Sequence, residues 1–522
     1  MLKFTVAANT REKASGKRSS LWAVACSLVL AWTWAPKGAR IRHVWEAVLD
    51  LAATQPAPRV IGRGAAITLV LGNMVGVGIF LTPGEVARAA PDVASYLALW
   101  VLGGVMALAG AEVTAELGSM FPQAGGDYVF LDRAFGRSIA RAWGLLAALF
   151  SFPGSVATLA VGAVDTLATV LGGLATQLIP GYPFTFKDIL ALAVVFLVTE
   201  FNRRGVTMAN RIQAVLTWTP ILVFVCIAVA MLLLGTPDEP GPGLHEHTKG
   251  SSLAAAFCAV FFTFSGWNVL TYVGGEVKAP GRTIPMAMLA AVVLATIAYL
   301  VLNIAFLVAI PITILPEVPN AGVAMAERLF GEVGKDAFAV VMTMAILAGL
   351  NSTVMASARI TYAVARDGYL WHKCADLSPR HNTPSVALFV QAVLASVLVL
   401  TGSFSFLVTA TGAVIMLLSC VTIASIFVFR TRMKLRPPMD LLGYPWTAIL
   451  FLAVGLMVAV SAFVSGGPWP VVGLVLAVLL AAGPKLACLS QGGLPKKDAA
   501  RLPGGMEAPQ VPGARHEGGE SP

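Results

Sequence analysis

The chain has 522 residues, 57% of them hydrophobic and 12% charged, with a formal net charge of +9 and a mean hydropathy of +0.79. A soluble domain averages about 25% charged residues, so the composition excludes a string of ordinary soluble domains. The positive balance needs no nucleic acid, because basic loops on one face of a membrane protein give the same sign.

In chain order, residues 1–60 form a basic extension. Lys3, Arg11, Lys13, Lys17 and Arg18 precede an apolar run over 21–34. That run is shorter than a bilayer span and has the length of a signal-peptide core. It reads as a disordered or interfacial extension, with an upstream start-site artefact or a targeting element as alternatives.

A transmembrane domain over 61–490 follows. A bilayer core needs roughly 20 apolar residues per helix. That ruler predicts twelve spans, near 64–82, 93–117, 139–163, 187–201, 212–235, 252–275, 284–311, 337–360, 385–401, 404–429, 446–465 and 468–488. Residues 491–522 are rich in Gly, Pro and charge and read as a disordered tail. With the N-terminus cytoplasmic, sixteen Lys and Arg fall in the inner loops and five in the outer ones (Arg88, Lys187, Lys249, Arg328, Lys335). This asymmetry predicts cytoplasmic N- and C-termini and a multi-pass protein of the cell (inner or plasma) membrane.

The six cysteines are scattered without a CxxC pair, and His245-Glu246-His247 reads as a solvated loop. Neither pattern suggests a metal site, and no cofactor is expected.

The first span contains Gly72-Asn73-Met74-Val75-Gly76-Val77-Gly78-Ile79-Phe80. Glycines in membrane helices can serve close packing. They can also mark unwound backbone, which survives in a bilayer only inside protein or beside a cavity. The sixth span contains Phe261-Phe262-Thr263-Phe264-Ser265-Gly266-Trp267-Asn268. The first and sixth spans open two successive five-span blocks, and interruptions at matching positions of inverted repeats point to a transporter binding site. Half-helix N-termini suit a carboxylate and freed carbonyls suit an ammonium, so a zwitterionic amino acid matches both.

These segments resemble the amino acid–polyamine–organocation superfamily, and most of all its L-type amino acid transporter branch. The resemblance runs from about Gly64 to Arg436. It is carried by Gly76–Phe80, by Ala115–Tyr128 with its Gly125-Gly126-Asp127-Tyr128, by Phe262–Asn268 with Glu276, Pro280 and Arg282, and by Asn351, Ser357, Arg359, Tyr362 and Ala365–Gly368. Pro153-Gly154-Ser155 agrees with it.

The resemblance implies an all-α, LeuT-type fold. Repeat one would cover about 64–235, repeat two about 252–429, and two extra helices about 446–488. It implies a substrate carboxylate on the amides of Val77 and Gly78, an amine on the carbonyls of Met74, Phe262 and Ser265, and Phe262 as an aromatic gate. Gly76, Ile79, Thr263 and Gly266 complete the expected binding segments, and Asn351 would add a polar contact.

Three features depart from the family. Val77 stands where a serine is common. Pro220 aligns with the fifth-span lysine of proton-coupled relatives and many exchangers, and no lysine lies between Ile212 and Gly235. Residues 163–187 lack the cysteine through which animal relatives attach a heavy subunit, so no disulfide-linked partner is expected.

Glu112 is an intramembrane carboxylate one turn before Glu116. It is a possible proton site, or else a carboxylate facing polar loops or bonded to a neighbouring helix.

The expected function is a sodium-independent permease or exchanger of L-amino acids, neutral ones in particular, working as a monomer or homodimer in the lipid bilayer without nucleic acid. Neither break offers an acidic or basic residue for a charged side chain. The alternatives are an amino acid sensor on the same fold and a proton-coupled symporter using Glu112. An enzyme would need a motif such as HExxH or GxSxG, and neither occurs.

Overall fold

The structure is a computed structural model that describes residues 59–76, 78–90, 92–171, 185–235, 253–401, 404–435, 437–438 and 443–465. The expected extension over 1–60, apart from Arg59 and Val60, the twelfth span and the tail over 491–522 lie outside the described residues. The described chain is helical, and one isolated parallel bridge pairs Ile61 with Val277.

Helices stand at the first eleven expected positions. The first span is a pair, α1 (Arg63–Met74) and α2 (Gly78–Ala89), bent by 45° at the break. The second is α3 (Val93–Met120). The short α4 (Asp127–Phe135) follows it. The third span is one rod made of α5 (Arg137–Leu146), a π turn (Ala147–Ser151) and α6 (Phe152–Leu171). The fourth and fifth are α7 (Phe186–Arg203) and α8 (Val206–Leu234). The sixth is broken into α9 (Leu253–Phe264) and the single turn α10 (Val269–Tyr272).

After these come α11 (Pro280–Ala309), α12 (Ala321–Arg366), α13 (Ser385–Thr401), α14 (Phe404–Phe427) and α15 (Trp446–Ser465). Among the described residues, six helices are long and apolar enough to cross a bilayer, or seven if the bent α1–α2 pair is one span.

α12 corrects the expected eighth span over 337–360, since it begins at Ala321. Asn320 caps it by accepting the Val323 amide at 3.0 Å. The chain kinks at Gly331, whose φ of 65° suits glycine. The expected outer loop is therefore mostly helical.

Helix packing follows a pattern. α3 packs most heavily on α11, α6 on α12 and α2 on α9, while α7 packs on both α6 and α13. Buried apolar side chains form two large bodies. One gathers α1, α2, α3, α9 and α11, with Phe80 at its centre in edge contact with Phe224, Phe306 and Phe338. The other joins Val156 and Ala160 of α6, Val195 of α7, Leu350 and Val354 of α12 and Leu388 of α13.

A buried ion pair and a partly buried one tie the face that carries most of the basic loops. Arg359 meets Glu276 through two bonds of 3.0 and 3.3 Å and donates to the Met355 carbonyl. Arg430 meets Glu116 at 2.5 Å. On the opposite face Arg88 donates to the Pro316 carbonyl, Arg328 to the Ala309 carbonyl, and Lys187 to Asp165.

Candidate functional site

The two breaks cross each other. α1 ends at Met74, where Val75 turns extended. α9 ends at Phe264, and Gly266 takes a φ of +109° that L side chains rarely adopt. A Cβ on Gly266 would lie 2.6 Å from Asn73 Nδ2 and 2.8 Å from the Asn73 carbonyl oxygen. A Cβ on Gly78 would lie 2.8 Å from Thr263 Oγ1 and 3.1 Å from Thr263 Cα. Each break therefore uses a glycine to admit the backbone of the other.

Hydrogen bonds fasten the crossing. Asn73 Nδ2 donates to the Gly266 carbonyl at 3.0 Å, and Asn73 Oδ1 accepts from Ser352 at 2.7 Å and Thr353 at 3.2 Å. The Tyr299 hydroxyl of α11 lies 2.8 Å from the Met74 carbonyl and 3.2 Å from that of Thr263. Thr82 and Thr263 hydroxyls stand 3.2 Å apart.

Beside this crossing is a cavity of about 290 Å³, near the small end of ligand pockets, which run from about 300 to 1,000 Å³. Asn73, Phe262, Ser265 and Gly266 form the wall at the breaks. Ser151, Ser155, Thr158, Thr353 and Ser419 add hydroxyls from α6, α12 and α14 and from the π turn. The floor, toward the basic face, is made by buried Asp127, Trp143 and Tyr272. Three buried lining atoms, Trp143 Nε1, Ser151 Oγ and Asp127 Oδ1, have no hydrogen-bond partner among the described residues. Buried polar groups are nearly always partnered, so this lining suits a polar occupant. Asp127 is the one charged side chain in the described lining.

Of the residues singled out in the sequence, Phe262, Ser265 and Gly266 line the cavity. Phe262 is exposed, as a side chain at a mouth would be. Met74, Gly76, Gly78, Ile79 and Thr263 are not lining residues; Met74, Gly78 and Thr263 make the crossing behind the wall. Val77 lies outside the described residues. The Phe262 carbonyl already accepts the Ser265 amide at 3.0 Å and the Ser265 hydroxyl at 2.7 Å.

Asn351 is placed elsewhere than expected. It is buried in a chain of amides, donating to Gln213 Oε1 at 2.7 Å and accepting from Asn202 at 2.8 Å. Gln213 in turn donates to Thr217 at 3.2 Å, and both press on α1 at Gly72. Neutral amides thus fill the space beside the fifth span. Glu112 is half-buried and accepts the Gly443 amide at 2.6 Å, ahead of α15, away from the cavity.

The sequence reading missed Asn73, Asp127, Tyr272 and Tyr299 as site residues. Asn73 did carry a signal, being a polar side chain inside a span beside a glycine.

Comparison with known proteins bears on the family. The family described as Amino acid permease matches residues 61–480. The serine/threonine exchanger SteT of Bacillus subtilis is 28% identical over 413 residues, covering 78% of this chain and 91% of SteT. Asc-type amino acid transporter 1 of Mus musculus is 30% identical over 379 residues, covering 71% of this chain and 70% of that protein. The b(0,+)-type amino acid transporter 1 of the same species is 24% identical over 432 residues, covering 82% and 87%.

Proposed function

Since the chain belongs to the amino acid permease family, we propose that it is a sodium-independent permease or exchanger that passes neutral L-amino acids through this cavity by alternating access. Amino acid transport is the work of its relatives. The observation that carries the finer reading is the crossing of the two broken helices on the wall of a cavity with unpartnered polar groups. Backbone at such a break presents amides and carbonyls that a helix would consume.

The substrate amine is assigned first to the Ser265 carbonyl, because that of Phe262 already accepts two bonds and that of Met74 accepts one. The carboxylate is assigned to the Val77 and Gly78 amides at the N-terminus of α2, where the helix dipole favours negative charge. The absence of a basic side chain from the lining argues against an acidic substrate, and the one acidic side chain has one of its two oxygens engaged by Tyr272. The hydroxyls of Ser151, Ser155, Thr158 and Ser419 favour a small polar side chain. Phe262 serves as the gate over this site.

The helix pairing supports two inverted repeats, about 64–235 and 252–429, followed by two further helices near 446–488. Each of the first four members of one block packs on its counterpart in the other. The basic loops favour a cytoplasmic N- and C-terminus and an inner or plasma membrane. The lack of cysteine over 163–187 favours a monomer or homodimer without a disulfide-linked subunit.

The test is reconstitution of the full chain with a panel of labelled amino acids, including serine, threonine, alanine, leucine, lysine and glutamate. Each is measured with and without internal amino acid, sodium and a pH gradient. Uptake of neutral substrates that ignores sodium and rises with internal amino acid is expected. No uptake or binding of any amino acid would overturn the reading, and uptake without trans-stimulation would make it a uniporter.

A further inference from the structure

The cavity floor contains a carboxyl group that the proposed substrate contacts leave unused. Asp127 stands at the first turn of α4, outside the spanning helices, and is 2% exposed. Its Oδ2 accepts the Tyr272 hydroxyl at 2.8 Å. Its Oδ1 has no hydrogen-bond partner among the described residues, and neither has the buried Thr422 hydroxyl that flanks the carboxyl. Oδ1 is thus a buried carboxyl oxygen with a free lone pair, where a proton can add; the resulting O–H can donate to Thr422 Oγ1, and the ionised form can accept from it.

Gly125, Gly126 and Asp127, at the start of α4, hold Tyr272 at three points. The Gly125 amide donates to the Tyr272 carbonyl at 3.1 Å. Gly126 lies so close to the ring that a Cβ would stand 2.8 Å from Tyr272 Cδ1. Asp127 takes the hydroxyl. Tyr272 ends α10, the turn directly after the break at Gly266, and its ring meets Phe152 edge-on at 5.1 Å. The grip on Tyr272 therefore ties the inner half of the broken sixth span to the floor.

We propose that Asp127 is a proton-binding site of the transport cycle. As a carboxylate it holds Tyr272 and keeps the floor shut. As the acid it lets the floor part. A hydrogen bond to an ionised acceptor is roughly twice as strong as one between neutral groups, so uptake of a proton weakens the grip. The proton comes from water, adds to Oδ1 and returns to water, with no other bond made or broken.

Burial raises the Asp127 carboxyl to about 6, against the opposing hydrogen bond of Tyr272 and the nearby polar side chains of Thr422 and Asn268. Tyr272 is the titratable group facing it; Asn268 and Thr422 are neutral. The inference rests on the cavity being the transport path, but the site itself is testable without transport.

The experiment is pH-difference infrared spectroscopy of the purified full chain, native, Asp127→Asn and Tyr272→Phe. A protonated buried carboxyl gives its own C=O band. For a single group titrating near 6, the protonated fraction grows about tenfold between about pH 7 and pH 5. That band is expected in the native protein and absent from D127N. In Y272F it is expected to persist with its midpoint moved to higher pH, because the lost hydrogen bond favoured the charged form.

In proteoliposomes, the ratio of amino acid exchange at about pH 5 to that at about pH 7 should fall toward one in D127N, each variant being referred to itself. If D127N does not fold, the native and Y272F titrations decide. A native band that does not titrate in this range, or a band unchanged in D127N, overturns the proposal. A normal titration without uptake of any amino acid supports the proton site and removes the transport reading instead.

Discussion

Substituting alanine at the two breaks separates a glycine demanded by geometry from one that is not. At Gly266 the backbone has φ +109°, and a Cβ would meet Asn73 at 2.6 and 2.8 Å, the second contact being with backbone. A non-glycine residue held in such a region is strained by about 1 to 3 kcal/mol. Relieving the clash moves Asn73 off the Gly266 carbonyl, which removes a hydrogen bond of net worth about 1 kcal/mol. Gly266→Ala should therefore destabilise the crossed form by about 2 to 4 kcal/mol, or about 30-fold or more in its population at 1.4 kcal/mol per decade.

Gly76 has open space where a Cβ would stand, with nothing within 4 Å, and no positive φ. Gly76→Ala should leave the fold within about 0.5 kcal/mol of the native protein. The assay is thermal unfolding in detergent, followed by uptake in proteoliposomes. A G266A protein that melts and transports like the native one would refute the reasoning. So would a G76A protein that melts as early as G266A.

Arg359→Met leaves Glu276 buried without its partner and should cost about 3 to 5 kcal/mol. Adding Glu276→Gln to it should recover part of that loss in the same melting assay. Phe262→Ala removes the side chain at the cavity mouth, and uptake should fall or become leaky to non-substrates; unchanged kinetics would remove the gate assignment. Glu112→Gln keeps an oxygen acceptor for the Gly443 amide, so both the melting temperature and the pH profile of uptake should stay native, whereas Glu112→Ala should lose about 1 kcal/mol. A pH profile flattened by E112Q would instead make Glu112 the proton site.

The breaks were legible because glycine beside aromatics inside an apolar run is a local signal, and Phe262, Ser265 and Gly266 do line the cavity. The depth of each residue was not legible. Asn351 shares a helix with the lining residue Thr353, yet two residues of helical rotation turn it to Asn202 and Gln213 instead. Spacing along one helix fixes relative faces but not which neighbour each face meets. Asp127 and Tyr272 lie 145 residues apart, and no periodicity announces that they touch. The helix over 321–336 was hidden because Glu327, Arg328, Glu332 and Lys335 make it polar, and a hydropathy ruler reads polar helix as loop.

Tyr299 has one hydroxyl hydrogen and two carbonyls within reach, at 2.8 Å on one broken helix and 3.2 Å on the other. A single proton can be donated fully to one of them at a time. The junction is therefore never symmetric: at each instant one half-helix is tethered to α11 and the other has a carbonyl lone pair to spare. Phenylalanine at this position would fill the same space and remove the tether from both halves at once.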